Sequence, residues 1–445
     1  MSCNFIALDI HQKLCEDHTT PVKHLRSMIE TKYNGHKPSY YKVWDAKQKA
    51  IAKMFGNWEE SYQRLQKLLM AYIDQDPTTQ VFYRITPTNE DDTVLLHYVF
   101  WSFGPCISGF KYCKPVISID GTHLYGKYQG KLLVAMATNA NNKVFPLAFA
   151  VVDCESGSSW RWFLQCLREA IGHVIPDKGI CIISDRHLGI KNAIANWPRR
   201  DDGRTRAEIE AIRNKKKVTG KDGKEKNQDY LPYTYLMSEF VDMWTQSYDG
   251  GRRFGAMTTN ISECFNGVLK GARGLPIAAL VEFTWNKLVQ YFHDRRKEYH
   301  FEFSEGKKWS AHALSTWEGN KRKSEKHYPK PFSNEELIFQ VVTQLNTCGA
   351  GGGNHSYEVR LQDRTCSCGK CQNIGIPCSH TIKVCDYLHI DSTTYIHPCY
   401  GLNNAINTYE HAFMVPKSQS LWGDPIGPKW LPNPALLWAK GRPVM

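Results

Sequence analysis

The segment CSCGKCQNIGIPCSH, Cys366 to His380, packs four cysteines and a histidine into fifteen residues. Cys366 and Cys368 stand two apart, and after a gap of nine residues Cys378 and His380 do the same. In an extended chain, residues two apart project from one side, so each pair can face a single ion. Three thiolates and an imidazole suit tetrahedral Zn2+, and four protein ligands leave no position open for water. A zinc ion held this way builds structure and activates nothing. Cys371, inside the gap, is the competing ligand, and its exchange with Cys368 stays open. A fortuitous cluster of buried thiols is the plain alternative, and Cys385 and Cys399 read as packing residues.

A second set of candidates is acidic. Asp120 follows the apolar run VISI directly, Asp185 follows CIIS, and Glu263 sits in the first turn of a later helical segment. Carboxylates at the ends of adjacent strands can point into one cleft, and an acid in a first helical turn complements the dipole. Three converging oxygen donors would hold Mg2+ or Mn2+, and two such ions can clamp the attacking and leaving oxygens of a phosphodiester. Taken singly, Asp120 is equally a turn residue, Asp185 a helix cap and Glu263 a helix-end charge.

The elements that must position these residues are readable from periodicity. Residues 22–75 repeat apolar positions three and four apart and read as packed helices, with Pro38 and Ser39 as a start signal. From Lys114, PVISID, KLLVAMAT and VFPLAFAVVD read as three successive strands. SSWRWFLQCLREAIG then forms an amphipathic helix, GICIISD a strand and HLGIKNAIANW a helix. TTNISECFNGVLKGARG reads as a capped helix, and a longer one begins near Pro276. Strand, strand, strand, helix, strand, helix implies a mixed α/β sheet flanked by helices. HSYEVRLQDRTCSC alternates as a strand leading into the first cysteine pair, and CSHTIKVCDYL begins a helix after the second.

On these residues the chain resembles two known families. Residues 350–390 resemble the SWIM zinc finger, whose pattern is Cys-x-Cys, a variable gap and Cys-x-His. SIDGTHLYGKYQGKLLVAMATNANNKVFPLAFAVV, SWRWFLQCLREAI, ISDRHLGIKNAI and TTNISECFNGVLKGARGLPI resemble successive blocks of the Mutator-like element (MULE) transposases of plants. The resemblance implies an RNase H-like fold with Asp120, Asp185 and Glu263 as a DDE triad. It further implies metal-dependent DNA strand cleavage followed by attack of a 3′-hydroxyl, with DNA as partner, possible homo-oligomers and a nuclear location. The other reading is a domesticated nuclear DNA-binding regulator that keeps the fold and cuts nothing.

Two departures from the family qualify that expectation. MULE transposases usually carry a helical insertion with a Cys-x-x-His pair between the second and third acids, and no cysteine lies between Asp185 and Glu263 here. The interval instead holds a lysine-rich polar stretch, so the insertion reads as shortened around 197–232. The family's N-terminal zinc-containing module is also not evident, because Cys3 and Cys15 have no finger-like spacing.

The resulting organisation is an N-terminal, mainly helical region (1–110, truncated relative to the family) and an RNase H-like domain (111–305). A helical, charged connector (306–349), a SWIM-type finger (350–392) and a proline-rich tail (393–445) follow. A formal net charge of +12 over 445 residues favours a polyanionic partner or is only a solubility charge. Arg252, Arg253, Lys215, Lys216 and Lys217 are the candidate DNA contacts, with solvated charge as the alternative. His123 and His187 are candidates for touching phosphate, and Trp160 and Trp162 for stacking on a base, although one tryptophan on the helix face reads as core. No secretory leader and no run of the roughly 20 apolar residues needed for a membrane span is evident. The odd count of 15 cysteines, mostly in apolar segments, points to reduced intracellular thiols.

Overall fold

The computed structural model describes residues 2–17, 20–176, 179–185, 188–195, 208–211, 251, 253–343, 355–425 and 427–437. Three helices open the chain: α1 (Cys3–Glu16), α2 (Val22–Lys32) and α3 (Tyr40–Phe55). Ser39 caps α3 by accepting the Lys42 N–H, which satisfies one of the donors that a helix start leaves open. Ile6, Ile10 and Leu14 of α1, Val22, Leu25 and Ile29 of α2, and Val43, Ala46 and Ala50 of α3 form a core of their own. These spacings of three and four put each set on one helical face.

Helix α4 (Glu60–Gln75) leads into β1 (Gln80–Pro87), β2 (Thr93–Ser102) and the short α5 (Gly104–Phe110). Strands β3 (Val116–His123), β4 (Lys131–Thr138) and β5 (Val144–Val152) form an antiparallel meander. After α6 (Gly157–Ile171), β6 (Cys181–Ser184) returns parallel to β3. Helix α7 (Leu188–Ala195) precedes β7 (Glu208–Ala211), which pairs parallel with β6. The sheet order is β1-β2-β5-β4-β3-β6-β7. Its centre is β4, whose Leu132 to Ala137 are fully buried, as a strand covered on both faces requires.

Both covers can be seen from two neighbours on β2. Phe100 faces α6, with its ring 5.8 Å from Phe163. Trp101, on the opposite face, donates its indole N–H to Thr284 at 3.1 Å. Thr284 belongs to α9 (Ile277–Ser304), a helix that follows α8 (Asn260–Val268). Successive strand residues point to opposite faces, so α6 and α9 lie on opposite sides of the sheet.

The C-terminal third adds α10 (Ala311–Ser324), β8 (His327–Ser333), β9 (Ile338–Thr343), β10 (Ser356–Arg360) and β11 (Thr365–Cys366). These four strands make a second sheet in the order β11-β10-β9-β8, backed by α11 (Lys370–Ile374) and α12 (Ser379–Tyr387). The Cys/His segment therefore draws two strands from what the sequence presents as a charged connector. Beyond α13 (Leu402–Thr408), β12 (Lys429–Pro432) runs back and pairs parallel with Thr93–Leu96 of β2. Asn433 then donates to Asp153 at 3.1 Å, and Asp153 also holds His97 Nδ1 at 2.6 Å. The stretch read as a proline-rich tail thus contributes a strand to the main sheet, and the N-terminal helical region contributes β1 and β2.

Candidate functional site

The acidic site begins with strand register. Val116, Ile117 and Ser118 of β3 pair with Cys181, Ile182 and Ile183 of β6. Continuing that register by two residues sets Asp120 level with Asp185, just beyond the end of β6. Helix α8 is tied to the same strand, because the buried Ser262 hydroxyl donates to the Ser118 carbonyl at 3.0 Å and lies 2.8 Å from its hydroxyl. Ser118 and Asp120 share one face of β3. Fastening α8 there carries Glu263, the next residue, close enough to the strand for its charge to act on Asp120.

Asp120 is half-buried and is held on both oxygens. Oδ1 accepts the Gly121 N–H at 2.8 Å, and Oδ2 accepts Nδ2 of Asn266 at 2.8 Å. Its pKa is pushed up to about 6, chiefly by burial, with Asp185, Glu263 and Glu155 adding repulsion against the Gly121 hydrogen bond. That mutual repulsion places the three predicted acids in one electrostatic neighbourhood. Asp185 and Glu263 are themselves exposed, and the Thr259 hydroxyl lies 3.4 Å from Glu263 Oε1. Among the described residues, the carboxylates do not form a set whose ligand atoms all close to within 4.8 Å.

Two members of this neighbourhood are not apparent in the sequence. Asn266 lies one turn after Glu263, and its Oδ1 is buried without a hydrogen-bond partner. Glu155, after β5, receives Lys131 Nζ at 3.0 Å and Trp160 Nε1 at 3.4 Å. The spacing Glu263-x-x-Asn266 places both on one helical face, which is the one signal that could have marked the asparagine.

The remaining candidates divide. Trp160 is fully buried and packs on Phe163, and Trp162 packs on Tyr98, so both serve the core. His123 is exposed, with Nε2 3.0 Å from Lys131 Nζ. Arg253, expected to reach DNA phosphate, is 1% exposed with Nη1 3.4 Å from Met257 Sδ. Its guanidinium is enclosed by protein and is not presented to a surface groove. His187, Arg252, Lys215, Lys216 and Lys217 lie outside the described residues.

The second site is compact. Cys366, Cys368, Cys378 and His380 bring one ligand atom each to within 4.8 Å of one another. His380 turns Nδ1 toward the sulfurs, 3.5 Å from Cys366 and 3.8 Å from Cys378. The Tyr357 ring stacks on the imidazole at 4.2 Å and the His327 ring lies 4.8 Å away, so the histidine is fixed by its neighbours. Burial disfavours charge on His380, yet hydrogen bonds to Cys368 and Cys378 raise its pKa to about 9. The Cys378 thiol is held well below the usual range by hydrogen bonds with Cys366, Cys368 and Cys371. Such a donor set, soft and anionic with a fixed imidazole, fits Zn2+.

Cys371 falls outside the quartet. Its sulfur accepts the Cys378 N–H at 3.0 Å and lies 2.8 Å from the Thr381 hydroxyl, so it braces the second pair of ligands. The knuckle between the pairs depends on Gly369 and Gly375, both at φ +75°, a conformation that a side chain would strain.

The two sites are joined by the run that leads to α8. Phe254 packs with Val116, Cys181 and Ile183 under the starts of β3 and β6. Its ring also meets those of His397 at 5.1 Å and Tyr400 at 6.5 Å between centres. Gly251 approaches the knuckle so closely that a Cβ there would lie 2.1 Å from the Gln372 carbonyl oxygen.

The family model of the MULE transposase domain matches residues 116–202, from the first residue of β3 to beyond α7. The matched stretch includes Asp120 and Asp185 and ends before Glu263. No curated protein matches the chain. Among the described residues, no helix is long and apolar enough to cross a membrane. The match covers the strand pair that leads to both aspartates, and it likens residues 116–202 to a MULE transposase domain.

Proposed function

We propose that the chain is a DDE-type transposase of the plant MULE kind, with an RNase H-like catalytic sheet and a zinc-loaded SWIM finger. What supports this reading is the parallel pairing of Val116–Ser118 with Cys181–Ile183, whose register continued by two residues sets Asp120 level with Asp185, together with the tie from Ser118 to α8, the helix that carries Glu263. Mutually repelling carboxylates of this kind are relieved by a divalent cation, and an all-oxygen donor set suits Mg2+ or Mn2+. Asp120, Asp185 and Glu263 would hold the ions. Bound there, the metal supplies Lewis-acid stabilisation of the attacking and leaving oxygens of a DNA phosphodiester.

The chain's own residues set the stage for that chemistry. Asn266 and the Gly121 N–H orient Asp120, and the Ser262–Ser118 contact fixes how far α8 and its glutamate stand from the strand. The finger is structural, with Cys366, Cys368, Cys378 and His380 closing the zinc site. DNA is the partner, with the excess of positive charge favouring it, and the setting is nuclear.

Nicking of supercoiled plasmid in Mn2+ tests the reading. Wild-type protein is expected to nick, and Asp185→Ala is expected to lose the activity at least a hundredfold. Equal nicking by the two proteins would reject the role given to Asp185. The exposed, wider spacing of the acids favours a second reading, a DNA-binding regulator without cleavage. Salt-dependent duplex binding with no metal-dependent nicking would select it.

A further inference from the structure

Helices α1–α3 form a small unit with a core distinct from that of the main sheet. Ile51 and Phe55 at the end of α3 join the main core, and the partly buried Met54 packs against both cores. Within the unit α3 is the central element, packing on both α1 and α2. Ala46 and Ala50 on its inner face let the other helices approach closely. Its outer face is left to solvent and carries a charge pattern that the unit's own stability does not require.

From Lys32 to Lys53 the sequence has six lysines and one acid, Asp45. Lys47 is turned inward, with Nζ donating to the Thr20 carbonyl at 2.7 Å. Lys32 pairs with Asp9, Lys37 with Glu30 and Lys49 with Asp45. Lys42 and Lys53 are exposed and make no ion pair among the described residues. At 100° per residue, Lys42, Lys49 and Lys53 fall within about 40° of one another, along a stripe about 16 Å long. Across the outer face from the stripe, beyond Asp45, Tyr41 is 70% exposed and Trp44 42% exposed, with their rings stacked 5.9 Å apart. One flank of the outer face of α3 is therefore cationic and the opposite flank aromatic.

We infer that the outer face of α3 is a docking surface for duplex DNA, separate from the acidic site. The major groove admits one α-helix, and a third helix resting across two others is a known way to present it. The lysine flank would follow one phosphate wall, and Tyr41 and Trp44 would meet sugar and base edges. The positive balance of the face selects a polyanion over a second copy of the same positively charged surface. The inference takes its partner from the proposed transposase-like function and adds a surface to it.

The test uses the full chain and a fluorescently labelled 30-base-pair duplex of mixed sequence, titrated from 50 to 250 mM salt. Lys42→Ala/Lys53→Ala is expected to weaken binding at least fivefold and to reduce the salt slope by roughly 2, since each phosphate contact contributes about 0.9. Tyr41→Ala/Trp44→Ala is expected to weaken binding at least threefold with the slope unchanged. All four side chains are exposed or partly so, and unchanged melting temperatures verify that the fold is intact. Wild-type affinity and slope in both double variants would overturn the inference. So would unchanged affinity accompanied by a loss of self-association in sedimentation, which would make the face a protein contact. Asp185→Ala separates this surface from the acid site. Plasmid nicking that persists while α3 proves silent would sink the surface alone, and α3-dependent binding without nicking would sink the enzymatic reading alone.

Discussion

Asn266 donates its side-chain N–H to Oδ2 of Asp120 at 2.8 Å from the turn of α8 that follows Glu263. A hydrogen bond to an ionised group contributes about 1.5–3 kcal/mol, and this one also sets the plane of the carboxylate. We predict that Asn266→Ala weakens Mn2+ binding about tenfold, the equivalent of about 1.4 kcal/mol. Asn266→Asp preserves shape but adds a charge beside Asp120, so it should move the pH midpoint of Mn2+ binding upward. Calorimetric titration with Mn2+ across pH 5–8 reads both effects. Wild-type affinity in the alanine variant would remove the asparagine from the site.

Asp120 carries a proton more readily in the folded protein than in the unfolded chain, because its pKa rises from 3.8 to about 6. Between these values the folded state binds more protons than the unfolded state, so its stability falls as pH rises through that window. Asp120→Asn removes the titration. Its melting temperature is therefore expected to exceed that of the wild type at pH 8 by an amount equivalent to at most about 3 kcal/mol, and the difference should shrink toward pH 4. Divalent cations compete with the same proton, so Mn2+ affinity of the wild type should fall below pH 6. A pH-independent difference in melting temperature would contradict the assignment.

The sulfurs are expected to separate sharply in zinc retention. Cys378→Ser removes a ligand from a closed set and should abolish stoichiometric zinc, because four-coordinate sites of this kind fold with their metal. Cys371→Ser keeps an acceptor for the Cys378 N–H and should retain zinc. Atomic absorption on the purified variants distinguishes them. If Cys371→Ser lost the metal while Cys368→Ser kept it, the ligand set would have to be redrawn.

Much of this site was legible because its signals are local. Asp120 and Asp185 stand where apolar strand runs stop, and the two ligand pairs, each with one residue between, lie within fifteen residues of one another. What escaped depended on the third dimension. Glu155 and Asn266 reach Asp120 through chain folding that no short window encodes. Arg253 reads as a surface cation beside glycines, yet Phe254 next to it is drawn beneath the sheet and the arginine goes inside with it. Strand β8 was hidden by Pro329 and Pro331, which a strand tolerates here because β8 is an edge of its sheet. Strand β12 is four residues long among prolines, and only the free half of β2 gives it a partner.

That last pairing has a consequence for biosynthesis. Thr93–Leu96 emerge from the ribosome more than three hundred residues before Lys429–Pro432. Until then that half of β2 offers a bare apolar margin, open to pairing with any other extended segment. A transcript ending early would release a product that retains every acid and every zinc ligand, yet cannot seal its own β-sheet and is prone to aggregate.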